Sequence, residues 1–367
     1  MTIDDATLEK LTARLAGTAE RYDRSGDFPV DGITAVFEAG LLHAEVGART
    51  SLADAVRIFA ALGRGDPSVA LLTAMTFLQH RAQATAPWWP DALYAQVVAD
   101  SAERPVLLNA IRAEPEWGAP ARGGLPATTI RRTPDGWSLT GHKGFATGVE
   151  GLAYHLVWAA TEDDEPLLAH AIVPADAPGI EIVRTWDHLG LRASGTHDVI
   201  YTDVRVPEEN FRGTPPQNAT QSAGLAVSAL YLGVAQAARD FFVKFANERV
   251  PSSLGRPIAT TERIQSVAGE IETQLVHAEE LLTGLAPRID AGDPAAIARV
   301  PVAKVLVTRA VIAAVQTAVA ALGNPALTRH HPLERHLRDV LASRVHPPQE
   351  DAALLIAGRR ALAAVPR

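Results

Sequence analysis

Trp186-Asp187-His188-Leu189-Gly190-Leu191-Arg192-Ala193-Ser194-Gly195-Thr196-His197-Asp198-Val199, closed shortly afterwards by Asp203-Val204-Arg205-Val206-Pro207, is the stretch whose reading decides the fold. An aromatic residue precedes a Leu-Gly-Leu-Arg turn, small and hydroxylic side chains follow, and the segment runs into a strand that ends at a proline. Its surroundings between about residues 106 and 211 are strand-like. Short runs rich in Val, Ile, Thr and aromatics at 153–161, 167–173, 180–186 and 199–206 predict a sheet. Pro134-Asp135-Gly136, between 127–133 and 137–140, carries hairpin chemistry, because Pro sets φ and Gly accepts positive φ. Antiparallel pairing is expected there.

Further out the pattern turns helical on both sides. Leu8, Leu11 and Leu15 fall at helical spacing, and the N-terminal segment is broken at Asp27-Phe28-Pro29 and at Pro87-Trp88-Trp89-Pro90. Beyond the loop 212–221, Ile264, Val267, Ile271, Leu275, Ala278, Leu282 and Leu285 alternate steps of three and four, as a bundle seam does. Further helices are expected at 224–247, 294–322, 332–343 and 350–364, separated by Gly, Pro and Asn. The expected fold class is α+β. It comprises an N-terminal α-helical domain (1–105), a small central antiparallel β domain (106–213) and a C-terminal four-helix-bundle domain (214–367).

With 367 residues, 47% of them apolar, the chain can bury a large core. A formal charge of −8 lacks the clustered basic footprint of a nucleic-acid binder. The absence of cysteine excludes disulfides, thiolate nucleophiles and cysteine metal sites, and fits a reducing compartment, the cytoplasm by default. An acidic N-terminus does not read as a signal peptide. The greasiest window, 300–322, is interrupted by Lys304, Arg309 and Gln316, so a buried bundle helix is expected there and no membrane partner. His330-His331 has no third ligand at useful spacing and reads as solvated helix-cap residues; no metal is expected.

The 186–207 stretch resembles the acyl-CoA dehydrogenase superfamily, and Asp27-Phe28-Pro29, Gly65-Asp66-Pro67-Ser68 and the C-terminal Arg338-Asp339 run extend the resemblance over nearly the whole chain. It implies an acyl-CoA dehydrogenase-like fold, a flavin between the sheet domain and the C-terminal bundle, and a homodimer or homotetramer. Gly141-His142-Lys143-Gly144-Phe145-Ala146-Thr147-Gly148 is similar to the segment that lines the isoalloxazine edge. This makes Phe145, Thr147 and, in the opening stretch, Ser194 cofactor-binding candidates. Without the resemblance, Thr147 reads as a strand-end hydroxyl satisfying its own backbone. Arg249 is similar to the Arg that reaches the FAD diphosphate of a neighbouring subunit, a role suited to a guanidinium fork, although Pro251-Ser252-Ser253 lengthens the spacing to Gly255. An exposed Arg at a helix C-terminus is the other reading. Gly323 matches the adenine-end position, and equally reads as a helix C-cap before Asn324-Pro325. FAD is the implied cofactor, with FMN as the alternative.

The superfamily's dehydrogenases need a carboxylate to remove the α-proton of an acyl thioester. Counting on from Arg338-Asp339, that position is Pro347, and the second position the family uses is Ala223, with Gly224 beside it. Neither can act as a base. His346-Pro347-Pro348 followed by Glu350-Asp351 instead resembles the flavin-dependent monooxygenase branch. Those proteins take reduced flavin, form a C4a-hydroperoxide and pass oxygen to carbon, nitrogen or sulfur of a small organic substrate, as in two-component systems fed by a separate flavin reductase. His346 is the first catalytic candidate, since imidazole can carry or release a proton near neutrality. His80 and Asn109 are further pocket candidates, against a core or surface reading for a single His. The competing expectation is an acyl-CoA dehydrogenase acting on an acyl thioester through Glu350, one helical turn beyond Pro347. A third is an inert flavin-binding or partner subunit.

Overall fold

The computed structural model describes residues 3–116, 124–213 and 224–363. Ala223 and most of the loop 212–221 therefore lie outside the described residues. Helices come first: α1 (Asp5–Ser25), α2 (Val30–Glu38), α3 (Ala44–Arg49), α4 (Leu52–Gly65), α5 (Pro67–Thr85) and α6 (Asp91–Glu103). Their starts follow local chemistry. Asp4 accepts the Thr7 amide at 2.8 Å, Ser51 the Asp54 amide at 3.0 Å, and Asp66 the Ser68 amide at 2.8 Å with Pro67 in the first turn.

Among the described residues eight strands then form one sheet: β1 (Leu107–Ile111), β2 (Thr129–Thr133), β3 (Gly136–Ala146), β4 (Leu152–Thr161), β5 (Leu168–Pro174), β6 (Ile180–Val183), β7 (His197–Val206) and β8 (Phe211–Arg212). The order is β6-β7-β3-β2-β4-β5-β8, with β1 beside β4. The Pro-Asp-Gly hairpin joins β2 to β3 with Thr133 opposite Gly136, antiparallel as its turn chemistry requires. The sheet as a whole is mixed, however, because β1 and β2 each run parallel to β4. Parallel neighbours are joined by crossovers, so no short turn motif announces them.

The second helical part comprises α7 (Gly224–Glu248), α8 (Glu262–Asp290), α9 (Pro294–Leu322), α10 (Asn324–Leu327), α11 (Leu333–Leu341) and α12 (Glu350–Ala363). Of the seam residues, Ile264, Ile271, Leu275, Ala278, Leu282 and Leu285 are buried, as the three-four alternation demands, and Val267 is half-buried. α9 is long and apolar enough to cross a membrane by length and composition, and half of its most apolar window is buried. The two helical parts meet at α4 and α7, backbone against backbone. A Cβ on Gly63 would stand 2.0 Å from the Leu230 carbonyl oxygen, and one on Gly233 2.0 Å from that of Ala60. Only glycine permits this approach, and one continuous core runs through helices and sheet.

Candidate functional site

The end of β3 and the turn before β7 build one half of the site. Thr147 is buried. Its hydroxyl accepts from Thr196 at 3.2 Å, and the Thr196 and Ser194 hydroxyls are 2.7 Å apart. The Thr147 carbonyl accepts from the Asn109 amide at 3.1 Å, and the Gly148 amide donates to the Ser194 carbonyl at 2.9 Å. Thr147, Ser194 and Asn109 are thus brought together from three strands or turns, with Thr196 as the link that sequence reasoning missed. Phe145, immediately before, has a left-handed backbone (φ 56°) and leaves 54% of its surface exposed. Its ring sits edge-on to His188, which stacks on Trp186 at 3.6 Å. An exposed aromatic held in a costly backbone conformation next to a buried hydroxyl chain is the kind of local compromise found at ligand sites.

The other half lies in the second helical part. The Tyr231 hydroxyl on α7 bonds His346 Nδ1 at 2.8 Å. Both residues line a small cleft with Ser228, Lys304, Thr308 and Pro347, with about 10 Å³ of room, enough for roughly one water. Burial, with a smaller contribution from the Lys304 charge, pushes the His346 pKa down to about 4. Burial and the Asp339 charge push the Tyr231 hydroxyl well above its ordinary range. At neutral pH both groups are uncharged. Sequence reasoning selected His346 but missed Tyr231, distant in the chain, and treated Lys304 only as a charge interrupting an apolar run.

Asp339 ties the halves together. The Leu191 amide donates to its carboxylate at 2.8 Å, three residues before Ser194, and the same carboxylate bears on Tyr231. Arg338 grips Asp23 of α1 at 2.6 Å, Glu334 at 2.8 Å and the Leu189 carbonyl at 3.0 Å. Gly190 is required for this contact, since a Cβ there would stand 2.3 Å from the Arg338 carbonyl oxygen. The Leu-Gly-Leu-Arg turn and the Arg-Asp run are two sides of one joint.

The remaining candidates lie elsewhere. His80 is buried, and its Nδ1 bonds the Tyr94 hydroxyl at 3.0 Å; desolvation lowers its pKa to about 4. No hydrogen bond among the described residues joins it to the Thr147 group, and its surroundings are those of a core histidine. Glu350 is bound by Arg309, whose Nε lies 3.1 Å away, an ion pair on an open face that holds the carboxyl below its usual pKa. Arg249 is exposed, with its backbone bonded to Phe245 and Ile258. Gly323 ends α9 at positive φ, its amide donating to the Val319 carbonyl. His330 is exposed, as a cap residue would be, but His331 packs on Phe241 at 5.2 Å. Among the described residues no cluster has the side chains to hold a metal.

Comparison with known proteins follows the same lines. Residues 110–204 match the family model for the acyl-CoA dehydrogenase middle domain, and residues 225–348 that for the acyl-CoA dehydrogenase C-terminal domain. The putative acyl-CoA dehydrogenase YdbM of Bacillus subtilis is 32% identical over 351 residues, covering 92% of this chain and 91% of its own. L-evernosamine nitrososynthase from a Micromonospora species is 28% identical over 355 residues, covering 90% of this chain and 82% of its own. Among solved structures, TdsC from Paenibacillus sp. A11-2, in complex with FMN and indole, superposes with a TM-score of 0.87 at 21% identity, covering 98% of this chain and 97% of its own. That last likeness is one of fold.

Proposed function

The chain belongs to the acyl-CoA dehydrogenase family of flavin-dependent oxidoreductases, and from that premise we propose that it is a monooxygenase that uses reduced flavin to oxygenate a small organic substrate. One observation carries the reading: the side chain presented to the cleft after Arg338-Asp339 is a neutral imidazole fixed by a phenol, and none of the described residues lining that cleft is acidic. An α-proton abstraction needs a base there. Glu350, the relocated candidate, is engaged by Arg309 instead.

The residues suit a flavin. Phe145 offers the ring an exposed aromatic face, and Thr147, already accepting from Thr196, has its own hydroxyl hydrogen left to donate to the ring edge. Ser194 extends that hydroxyl chain. Arg249, exposed and bonded through its backbone, would meet the diphosphate of FAD on a neighbouring subunit, with Gly323 near the adenine end; a homodimer or homotetramer is then the working assembly. FMN, present in the TdsC complex, is the alternative cofactor. When bound, the flavin supplies the redox chemistry, and a separate reductase would deliver it reduced.

His346 then acts as a hydrogen-bond donor. The neutral phenol has no other acceptor among the described residues, so the arrangement that uses its proton has Tyr231 donating to Nδ1 and the imidazole proton on Nε2, the nitrogen with no protein partner among the described residues. With its pKa near 4, His346 is not an imidazolium acid at pH 7 in the free protein. It can orient a polar substrate atom, while the apolar walls of Val227, Val307 and Pro347 limit water.

The likeness to YdbM favours a second reading, an acyl-CoA dehydrogenase. Two experiments separate them. Flavin-loaded, reduced protein mixed with labelled dioxygen and a panel of aromatic and amino-sugar substrates should yield a product one labelled oxygen heavier. Anaerobic bleaching of the oxidised flavin by acyl-CoA esters, lost in Glu350→Gln, would instead establish the dehydrogenase and end the oxygenase reading.

A further inference from the structure

Lys304 is a charge without a counter-charge. It sits in the middle of α9 with 4% of its surface exposed, and among the described residues its ammonium makes no hydrogen bond and no ion pair. Burial lowers the Lys304 pKa, the charge of Glu350 opposes that shift, and Glu350 is itself held by Arg309. The undescribed stretches 1–2, 117–123, 214–223 and 364–367 contain no Asp or Glu, so they offer no side-chain carboxylate to complete the pair. An ammonium drawn largely out of bulk water without a carboxylate beside it is costly, and a cleft-facing one is open to an anionic partner.

Its direction narrows the ligand. Lys304 and Thr308 are one helical turn apart on the same face of α9, and both line the cleft that holds His346 and Tyr231. Helical threonines elsewhere in the chain bond the carbonyl four residues back, as Thr73 does to Val69 and Thr283 to Glu279, each at 2.8 Å. Thr308, 5% exposed, makes no such bond among the described residues. Two donors on buried side chains, neither with a hydrogen-bond acceptor among the described residues, therefore reach the cleft from one wall. Across from them, the His346 ring nitrogen not bonded to Tyr231 is a further donor. Three donors and no acidic residue in one cleft describe a site for an acceptor-rich anion.

We propose that Lys304, with Thr308, binds a carboxylate on the substrate, so that the substrate is a small organic acid. This rests on the reading of the His346 cleft as the substrate side of the site, but not on which reaction occurs there. One carboxylate oxygen takes the place of the single water the cleft can hold, against Lys304 and Thr308, and the rest of the molecule lies outside the cleft beside His346. Neutral analogues of the same shape lose the charge-assisted contact, typically worth about tenfold to a hundredfold in affinity.

The test is calorimetric binding to flavin-loaded protein of acid and amide pairs of matched shape: acetate and acetamide, butyrate and butyramide, benzoate and benzamide, phenylacetate and phenylacetamide. At least one acid should bind tenfold or more tightly than its amide. Lys304→Gln should bring that pair within threefold of each other, while Lys304→Arg should keep a preference for the acid; circular dichroism and melting temperature check that both variants fold. The proposal is overturned if no acid outbinds its amide, or if Lys304→Gln keeps the preference. Should either variant fail to fold, loss of the wild-type preference on reductive dimethylation protected by the preferred acid decides the question: protection of Lys304, read by mass spectrometry, supports the proposal and equal labelling with and without the acid refutes it. Absence of labelled oxygen in the product would refute the monooxygenase reading and leave this binding result standing.

Discussion

Replacing Asp339 by Asn should make the protein more stable at neutral and alkaline pH, by an amount that grows with pH. The carboxyl is 2% exposed, accepts the Leu191 amide at 2.8 Å, and is driven mainly by desolvation from 3.8 to about 7, with Arg335 and Arg338 opposing the shift. Because the folded pKa is raised, the proton on Asp339 stabilises the native state fully below pH 3.8, and that contribution is lost as pH rises through about 7. Each unit is worth about 1.4 kcal/mol, so the whole effect is about 4 kcal/mol, of which about 3 kcal/mol falls between about pH 5 and about pH 8. Asn resembles the protonated acid. Its oxygen can still accept from Leu191, and any misfit of the amide hydrogens adds an offset that does not change with pH. Urea unfolding of wild type and Asp339→Asn across this range should show a stability difference that rises with pH in favour of the variant. A difference that is flat, or that falls as pH rises, would refute the assignment of Asp339 as a buried acid protonated through the weakly acidic range.

Three further outcomes follow from the geometry. Tyr231→Phe removes the phenol that fixes His346 Nδ1 and should lower turnover about tenfold, with about 1–2 kcal/mol lost from stability; an unchanged rate would remove Tyr231 from the site. Gly190→Ala forces a Cβ to within 2.3 Å of the Arg338 carbonyl oxygen, and should cost about 1–3 kcal/mol in a denaturant titration; a neutral effect would mean the joint is looser than described. Thr147→Ala should weaken flavin binding about tenfold by equilibrium titration and, by removing the acceptor of the Thr196 hydroxyl, cost about 1 kcal/mol of flavin-free stability; equal flavin affinity would exclude the hydroxyl from the ring edge.

What the sequence made legible was local chemistry. The reading of a helix over 294–322 matches α9 because Asp293 caps its start, Pro294 opens it and Gly323 closes it, all within reach of the chain itself. The β2–β3 hairpin was legible for the same reason. The parallel pairing of β1 with β4 was not, since Asn109 meets His155 across a long connection. The site divides in the same way. The position of His346 could be counted from Arg338-Asp339, but Tyr231 reaches it from another helix, and the chain alone does not say which hydroxyl will fix an imidazole. Lys304 shows the limit most sharply: in the sequence it is an interruption of a greasy run, and only the packing of α7, α9 and the segment after α11 turns it into a buried cation beside a cleft.

The same division explains why the family landmarks and the chemistry come apart. Leu189 to Leu191 and Arg338-Asp339 read as motifs because each satisfies the other: the Leu191 amide needs the Asp339 carboxylate, the Arg338 guanidinium needs Asp23, Glu334 and the Leu189 carbonyl, and Gly190 gives the room for both. All of these contacts orient the sheet against α1 and α11. None of them removes a proton or donates to a substrate. The chemistry depends on what the chain places in the cleft a few residues later, and Pro347 for a carboxylate changes that without touching a contact of the joint. Membership of the fold read from 186–207 and 338–339 is therefore a statement about assembly, and the reaction has to be argued from His346, Tyr231 and Lys304. Pro347→Glu tests this directly: the joint should hold, the protein should fold, and the oxygenase should gain nothing, whereas new bleaching of bound flavin by an acyl-CoA ester would show that a carboxylate was the only part the dehydrogenase lacked.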